Sequence, residues 1–357
     1  MINWLLIFVP LAIGLEIAAP ERHLLVFFAS GLAILPLAAW MGRATEHLAE
    51  RMGEGIGGLL NATFGNAAEL IIALTALRAG LHDVVKASII GSIVGNILLV
   101  LGAAMLAGGL RHREQRFNAA GARAQATMMT LAAITLILPA AFQVALGPNA
   151  AAAPLIPLSA SISIVLLVVY GLYLAYTLVT HSSLFSGSHA PEEEAHSPPW
   201  SVRRAALVLG VATAVIAWMS EILVGALQPT ARSLGLTSGF IGVFVVAILG
   251  NAAEHATAIS VAMKNRMDLS LSIAIGSSVQ VAVFVAPVLM LVSLVLGPAP
   301  MDLAFPNGLV VVVLLSVLIT GQVANDGRSD WLKGVQLLAV YFVLGLTFFF
   351  VPDVLPH

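Results

Sequence analysis

The chain has 357 residues, 59% of them hydrophobic and 10% charged, with a mean hydropathy of +0.99. A soluble domain carries about 25% charged residues, so a water-soluble protein is excluded and an all-α, polytopic membrane protein is expected. The net charge of -2 provides no basic field for nucleic acid, and the lack of cysteine removes disulfides and thiol chemistry.

A membrane-spanning helix needs about 20 apolar residues. That rule predicts about eleven helices, over 2–19, 23–41, 56–79, 84–108, 122–146, 155–179, 203–227, 237–263, 269–296, 303–323 and 332–351. The first run starts at Ile2 with no basic stretch before it and no clear cleavage site, which predicts a retained helix rather than a signal peptide. Its one carboxyl, Glu16, reads as a packing or interface group. Helix 2 carries Ala39-Trp40-Met41, with Thr45 and Glu46 near its expected end. Helix 3 carries Gly65-Asn66-Ala67-Ala68-Glu69. On helix 4, Ser88, Ser92 and Asn96 recur every four residues and form one polar stripe.

The only long hydrophilic connection, 181–202, holds Glu192, Glu193, Glu194 and three nearby histidines. Its composition predicts a cytoplasmic linker, either a solvated tether or a regulatory cation or proton sensor. Helix 7 carries Ala217-Trp218-Met219, then Ser220 and Glu221. Helix 8 carries Gly250-Asn251-Ala252-Ala253-Glu254-His255. Helix 9 offers Ser272, Ser277, Ser278 and Gln280.

The Gly-Asn-Ala-Ala-Glu stretch therefore occurs twice, 185 residues apart, and the Gly-Ser pairs Gly91-Ser92 and Gly276-Ser277 keep the same offset. Helices 3 and 8 are five helices apart and so cross in opposite directions. This predicts one extra N-terminal helix (1–21), a first repeat of five (22–180), the linker (181–202) and a second, inverted repeat of five (203–357). Twelve of the sixteen lysines and arginines fall at the connections after helices 2, 4, 6, 8 and 10; Arg22, Arg78, Lys86 and Arg232 lie on the opposite side. That bias places the N-terminus in the cytoplasm and the C-terminus outside.

A carboxylate at mid-membrane costs about 2.5–3.5 kcal/mol on insertion scales, so Glu69 and Glu254 are the candidate functional groups. Around them the motifs gather amides, hydroxyls and freed carbonyls. This all-oxygen set suits a hard cation, and calcium takes 6–8 oxygens. Two close carboxylates in a dry site cannot both stay ionised once the ion leaves, so the same pair can hold one divalent cation or protons. His255, with Leu70 at the matching position, is a candidate proton shuttle or a packed neutral ring. Glu221 is a candidate relay or outer ligand. A passive channel could use the same polar stripe. No His-Glu-x-x-His, Gly-x-Ser-x-Gly or paired-aspartate motif points to an enzyme.

At these residues the chain resembles the calcium/proton exchanger family of the calcium/cation antiporter superfamily. The paired motifs, each followed by a Gly-Ser helix, are similar to that family's two signature repeats, and the match covers helices 2–11. The resemblance implies exchange of calcium for protons. It implies cation and proton binding at Glu69 and Glu254, with Asn66, Asn251, Asn96 and Gln280 around them; Ser92 and Ser277 are further candidate cation-site residues from the Gly-Ser pairs. It also implies an acidic segment joining the halves, which Glu192, Glu193 and Glu194 resemble. The chain departs from the pattern at Gly95, where a small hydroxyl side chain is common. No cofactor is expected beyond the transported ions. The expected partners are calcium, protons and the bilayer, and the expected location is a bacterial or archaeal inner membrane. A different coupling or transported ion (sodium, potassium or manganese) stays open.

Overall fold

A computed structural model describes residues 2–52, 57, 59, 60, 63–147, 154–181 and 200–350. Among them run eleven α-helices. A 3-10 turn leads into α1 (Phe8–Ala18), followed by α2 (His23–Met52), α3 (Ala67–Arg78), α4 (His82–Arg111), α5 (Ala119–Leu146) and α6 (Leu155–Thr180). The second half holds α7 (Val202–Leu234), α8 (Ser238–Met263), α9 (Met267–Val292), α10 (Asn307–Ala324) and α11 (Trp331–Phe350). Eight of these are long and apolar enough to cross a membrane; α1, α3 and α10 are shorter. The chain is an all-α membrane protein.

Helix ends follow local chemistry. Ser201 caps α7 by accepting from the Arg204 N–H at 3.3 Å, and Thr237 caps α8 by accepting from Phe240 N–H at 2.9 Å. Gly235, at φ +65°, ends α7 in the left-handed region that glycine tolerates. Two boundaries differ from expectation. α2 continues to Met52 and α7 to Leu234, each well past its apolar window. The helical backbone bonds itself beyond the apolar stretch, so hydropathy underestimates length there. Glu46 is thus inside α2 and exposed, not near its end.

The third helix is interrupted. Thr63 and Phe64 are helical, Gly65 and Asn66 form a turn, and α3 restarts at Ala67. Its counterpart α8 runs unbroken through Gly250-Asn251, with a π-turn over Gly242–Val246 just before. α4 and α9 carry π-turns at matching places, Gly95–Val100 and Val281–Val285. Such wide turns often mark functional positions.

Packing divides the interior in two. α2 and α7 lie against each other more extensively than any other pair. With α1 they form one apolar cluster, around Phe27, Ile34, Met41, Ile216 and Leu223. α4, α5, α9, α10 and α11 build the other, around Ile93, Leu98, Leu101, Ile275 and Leu289. α3 sits on the boundary: Ala67, Ala68 and Ile72 join the first cluster, Ala73, Ala76 and Leu77 the second. Contacts also cross between the halves, α3 packing on α7 and α8 on α2.

The long connections clasp the opposite half in matching fashion. The α4–α5 segment lies on the α8–α9 turn, where the buried Gln115 donates to Ala262 O at 2.8 Å and Asn265 Oδ1 at 3.1 Å. A two-residue strand there, β1 (Gln115–Arg116), pairs antiparallel with β2 (Arg328–Ser329) from the α10–α11 connection. The α9–α10 segment lies on the α3–α4 turn, where Lys86 Nζ donates to Asp302 Oδ1 at 2.8 Å and Ala304 O at 2.9 Å. Lys86, counted with the connections in the charge pattern although inside the predicted 84–108 helix, is buried within α4 and paired there with Asp302.

Candidate cation site

The interruption at Gly65-Asn66 places a helix start at the level of the first motif. Asn66 has non-helical backbone (φ -97°, ψ 18°) and its side chain does not cap α3. Glu69 falls in the first turn of α3, where the positive end of the helix dipole favours a carboxylate. A half-helix beginning at membrane depth is tolerated only where it lines protein or a cavity.

Glu69 Oε1 accepts from the Ser92 hydroxyl at 2.5 Å and from the Asn251 amide, which comes from the other half. Asn251 also reaches Ser92 Oγ at 3.3 Å. The second repeat repeats this pattern. Ser277 donates to Asn66 Oδ1 at 3.1 Å, as Asn251 meets Ser92. Each half thus contributes an asparagine that bonds the serine of the other, the pairing expected of inverted repeats.

The symmetry ends at the extra amides. Asn66 donates to Gln280 Oε1 at 2.5 Å, and Asn96 donates to Ser277 Oγ at 3.1 Å. Gly95 and Val281 stand at the matching positions, so each amide fills a place that the other half leaves empty. His255 Nε2 lies 2.9 Å from Asn96 Oδ1. That oxygen only accepts, so Nε2 carries the proton in this contact. An amide oxygen has no proton to hand on, so the contact holds Asn96 in place rather than passing protons through it.

Glu69 and Glu254 lie within electrostatic range of each other. One oxygen of each, Oε2 in both cases, is shielded from solvent and has no hydrogen-bond partner among the described residues. Unpartnered shielded acceptors are costly and mark a missing donor or ion. No group of three or more His, Cys, Asp or Glu side chains placed to hold a metal ion occurs among the described residues. The site therefore offers two carboxylates plus amide and hydroxyl oxygens, a hard-cation set.

Close glycine packing holds this geometry. A Cβ on Gly250 would stand 2.8 Å from Glu69 Cγ, and a Cβ on Gly91 would collide with the backbone of Val243. Small residues let helices approach this closely in membranes. A cavity opens beside Glu69, lined also by Ser88, Ser92, Ile72, Val246 and Val285.

The remaining candidates lie elsewhere. Glu221 is exposed and faces Arg78 at 3.5 Å, away from the two glutamates' hydrogen-bond network. Glu16 is exposed on α1. Ser278 donates to Ile93 O at 3.2 Å and Ala274 O at 3.0 Å, and so joins helices together. Ser272 accepts from Gln125 at 3.4 Å. Glu192, Glu193 and Glu194 lie outside the described residues. Sequence reasoning missed the Lys86–Asp302 pair. A lysine inside an apolar helix was the available signal.

The family described as sodium/calcium exchanger protein matches residues 22–179 and 204–350. This chain belongs to that family. Among its relatives is a Ca2+/H+ antiporter of Aphanothece halophytica, 48% identical over 346 residues, covering 92% of this chain and 91% of that one. A Ca2+/H+ antiporter of Bacillus subtilis (strain 168) is 44% identical, covering 89% and 90%. The solved structure of native YfkE superposes with a TM-score of 0.82 at 39% identity, covering 98% of this chain and 99% of that one.

Proposed function

We propose that this chain is a secondary antiporter exchanging calcium for protons across a membrane by alternating access. One observation carries the reading. Two carboxyl groups from inverted repeats, Glu69 and Glu254, lie within electrostatic range of each other, and each has one shielded oxygen without a partner among the described residues. The relatives named Ca2+/H+ antiporters, at 44–48% identity, support it.

The physics is that of a shared site. With calcium bound, both carboxylates are neutralised by one divalent charge. Without it, two facing carboxylates shielded from water cannot both stay charged, so the empty site takes up protons. The Ser92 hydroxyl and the Asn251 amide give Glu69 the positive partners that a cation would otherwise supply. Asn66 and Asn96 from the first half and Gln280 and Ser277 from the second orient or complete the site. A site that crosses only when loaded with calcium or protons couples the two flows. α2 and α7, forming their own apolar cluster, slide against the rest to open one side at a time. The protein sits in a bacterial or archaeal inner membrane, N-terminus in the cytoplasm, and inward proton flow drives calcium out.

The test is calcium uptake into everted vesicles or proteoliposomes under an imposed pH gradient, with luminal pH followed. Uptake should collapse with the gradient and be matched by proton release, and Glu69→Gln should abolish it while leaving a folded protein. Substantial exchange by Glu69→Gln would overturn the site. Uptake driven by sodium and indifferent to the pH gradient would overturn the coupling.

A further inference from the structure

The cavity beside Glu69 has a direction. Ile72 and Ala73 follow Glu69 along α3, while Ser88 and Ile89 precede Ser92 along α4. Val246 and Ala247 precede Asn251 along α8, and Val281 and Val285 follow Gln280 along α9. In an inverted arrangement all four displacements point the same way, toward the face that carries the α3–α4 turn and the α7–α8 connection. Asn96 and His255 lie in the opposite direction along the same helices. The cavity is thus the part of the site that looks toward one face only.

Among the described residues, Ser88 is the one polar side chain lining this cavity apart from Glu69 and Ser92. It lies one helical turn from Ser92. Its hydroxyl donates back to Val85 O at 2.9 Å, which satisfies its proton and leaves its oxygen lone pairs free. The remaining lining is aliphatic and cannot compensate a cation. The matching residue in the second repeat is Ile273, so the repeat does not copy this hydroxyl onto the opposite face.

We propose that Ser88 is a transient cation ligand on the route between Glu69 and the face of the α3–α4 turn, and that it sets calcium affinity from that face alone. The proposal rests on the antiporter reading above. A cation moving from the Glu69–Ser92 pair along this cavity leaves its carboxylate before it regains its water shell. Ser88 supplies an oxygen at that point, on the same helix face as Ser92.

The test measures the apparent KM for calcium from each face in oriented proteoliposomes, for wild type, Ser88→Ala and Ser88→Thr. Ser88→Ala should raise KM from the α3–α4 face by about three- to tenfold, the worth of one ordinary polar contact, and leave the other face within about twofold. Ser88→Thr, which keeps the oxygen, should restore the wild-type value. Unchanged KM on both faces, or an equal rise on both that Thr does not restore, would overturn the proposal. A second measurement guards against a folding defect. The chain has no cysteine, so Ser88→Cys places a single thiol in the cavity. Silver ion added from the α3–α4 face should block exchange, and saturating calcium should slow that block. A block equally fast from both faces, no block, or one indifferent to calcium would count against it. Wild-type protein failing to exchange calcium for protons would instead sink the antiporter reading and is seen in the same assay.

Discussion

Gly250→Ala is a severe test of the site although it removes no functional group. The added methyl would stand 2.8 Å from Glu69 Cγ. Carbon atoms rest comfortably at about 3.5–4.0 Å, so something must move by roughly 0.7–1.2 Å. The nearest atom belongs to a flexible side chain, so Glu69 yields rather than the helix. Moving it strains the bonds to Ser92, at 2.5 Å, and to Asn251. Overpacking of this kind typically costs about 1–3 kcal/mol, which leaves a folded protein. A displacement of about 1 Å in a reacting group can cost on the order of 100-fold in rate. Gly250→Ala should therefore lower the initial rate of pH-driven calcium uptake at least about tenfold, while thermal unfolding in detergent shifts only modestly. Gly210 on α7 is the control, since a Cβ there meets nothing within 4 Å, and Gly210→Ala should leave exchange intact. Wild-type uptake by Gly250→Ala would refute the idea that Glu69 is held by contact with the opposite repeat. A Gly250→Ala protein that fails to fold would refute the claim that the side chain absorbs the clash.

Three further expectations follow from pairs outside the site. Lys86→Met strands Asp302, whose side chain is 29% exposed; breaking the pair should cost about 1–3 kcal/mol in chemical denaturation, less than for a fully buried pair, and adding Asp302→Asn should recover part of it. Exchanging the charges of Arg78 and Glu221 should change stability by less than about 0.5 kcal/mol and leave uptake unaltered, because that 3.5 Å pair is exposed; a large loss of uptake would return Glu221 to the transport machinery. Asp326 accepts from Lys333 at 2.6 Å, and that bond holds its carboxyl below the usual value of 3.8. Its contribution is complete above the unfolded value of about 3.9 and fades as pH falls through the lower folded value. Since the Asp326 side chain is largely solvent-exposed, Asp326→Asn should cost less than about 1 kcal/mol in denaturation near neutral pH, and progressively less as pH falls through the lowered folded value. A cost that persists in acid would assign the effect to something other than the charge.

Much of the fold was legible because the bilayer imposes one simple rule. The number of helices follows from apolar runs, and the inverted halves from a motif repeated across an odd number of helices. The site was legible because carboxylates at membrane depth stand out against their surroundings. What stayed hidden depends on backbone rather than composition. Gly65-Asn66 breaks its helix while the same two residue types at Gly250-Asn251 do not, since neighbouring packing decides which copy unwinds. The ends of α2 and α7 were missed because an amphipathic helix can outrun its apolar window. The sequence also showed the amide moving between Asn96 and Gln280, but only the folded chain shows both amides serving one network, with Asn66 and Ser277 between them.

The duplication has a consequence for directionality. Were the two halves identical copies, assembled as an antiparallel pair, every feature of one membrane face would be copied on the other. Fusion into one chain lifts that restriction. Leu271 now answers Lys86, Ile273 answers Ser88, and Leu70 answers His255. One face has acquired a buried lysine and a serine beside the cavity, the other a buried glutamine clasp and an imidazole. In the proposed cycle the carboxylates stay paired because both are needed at once, whereas the approaches to them are free to specialise. A transporter built this way can meet dilute calcium on one side and concentrated calcium on the other with different affinities, using a single shared site.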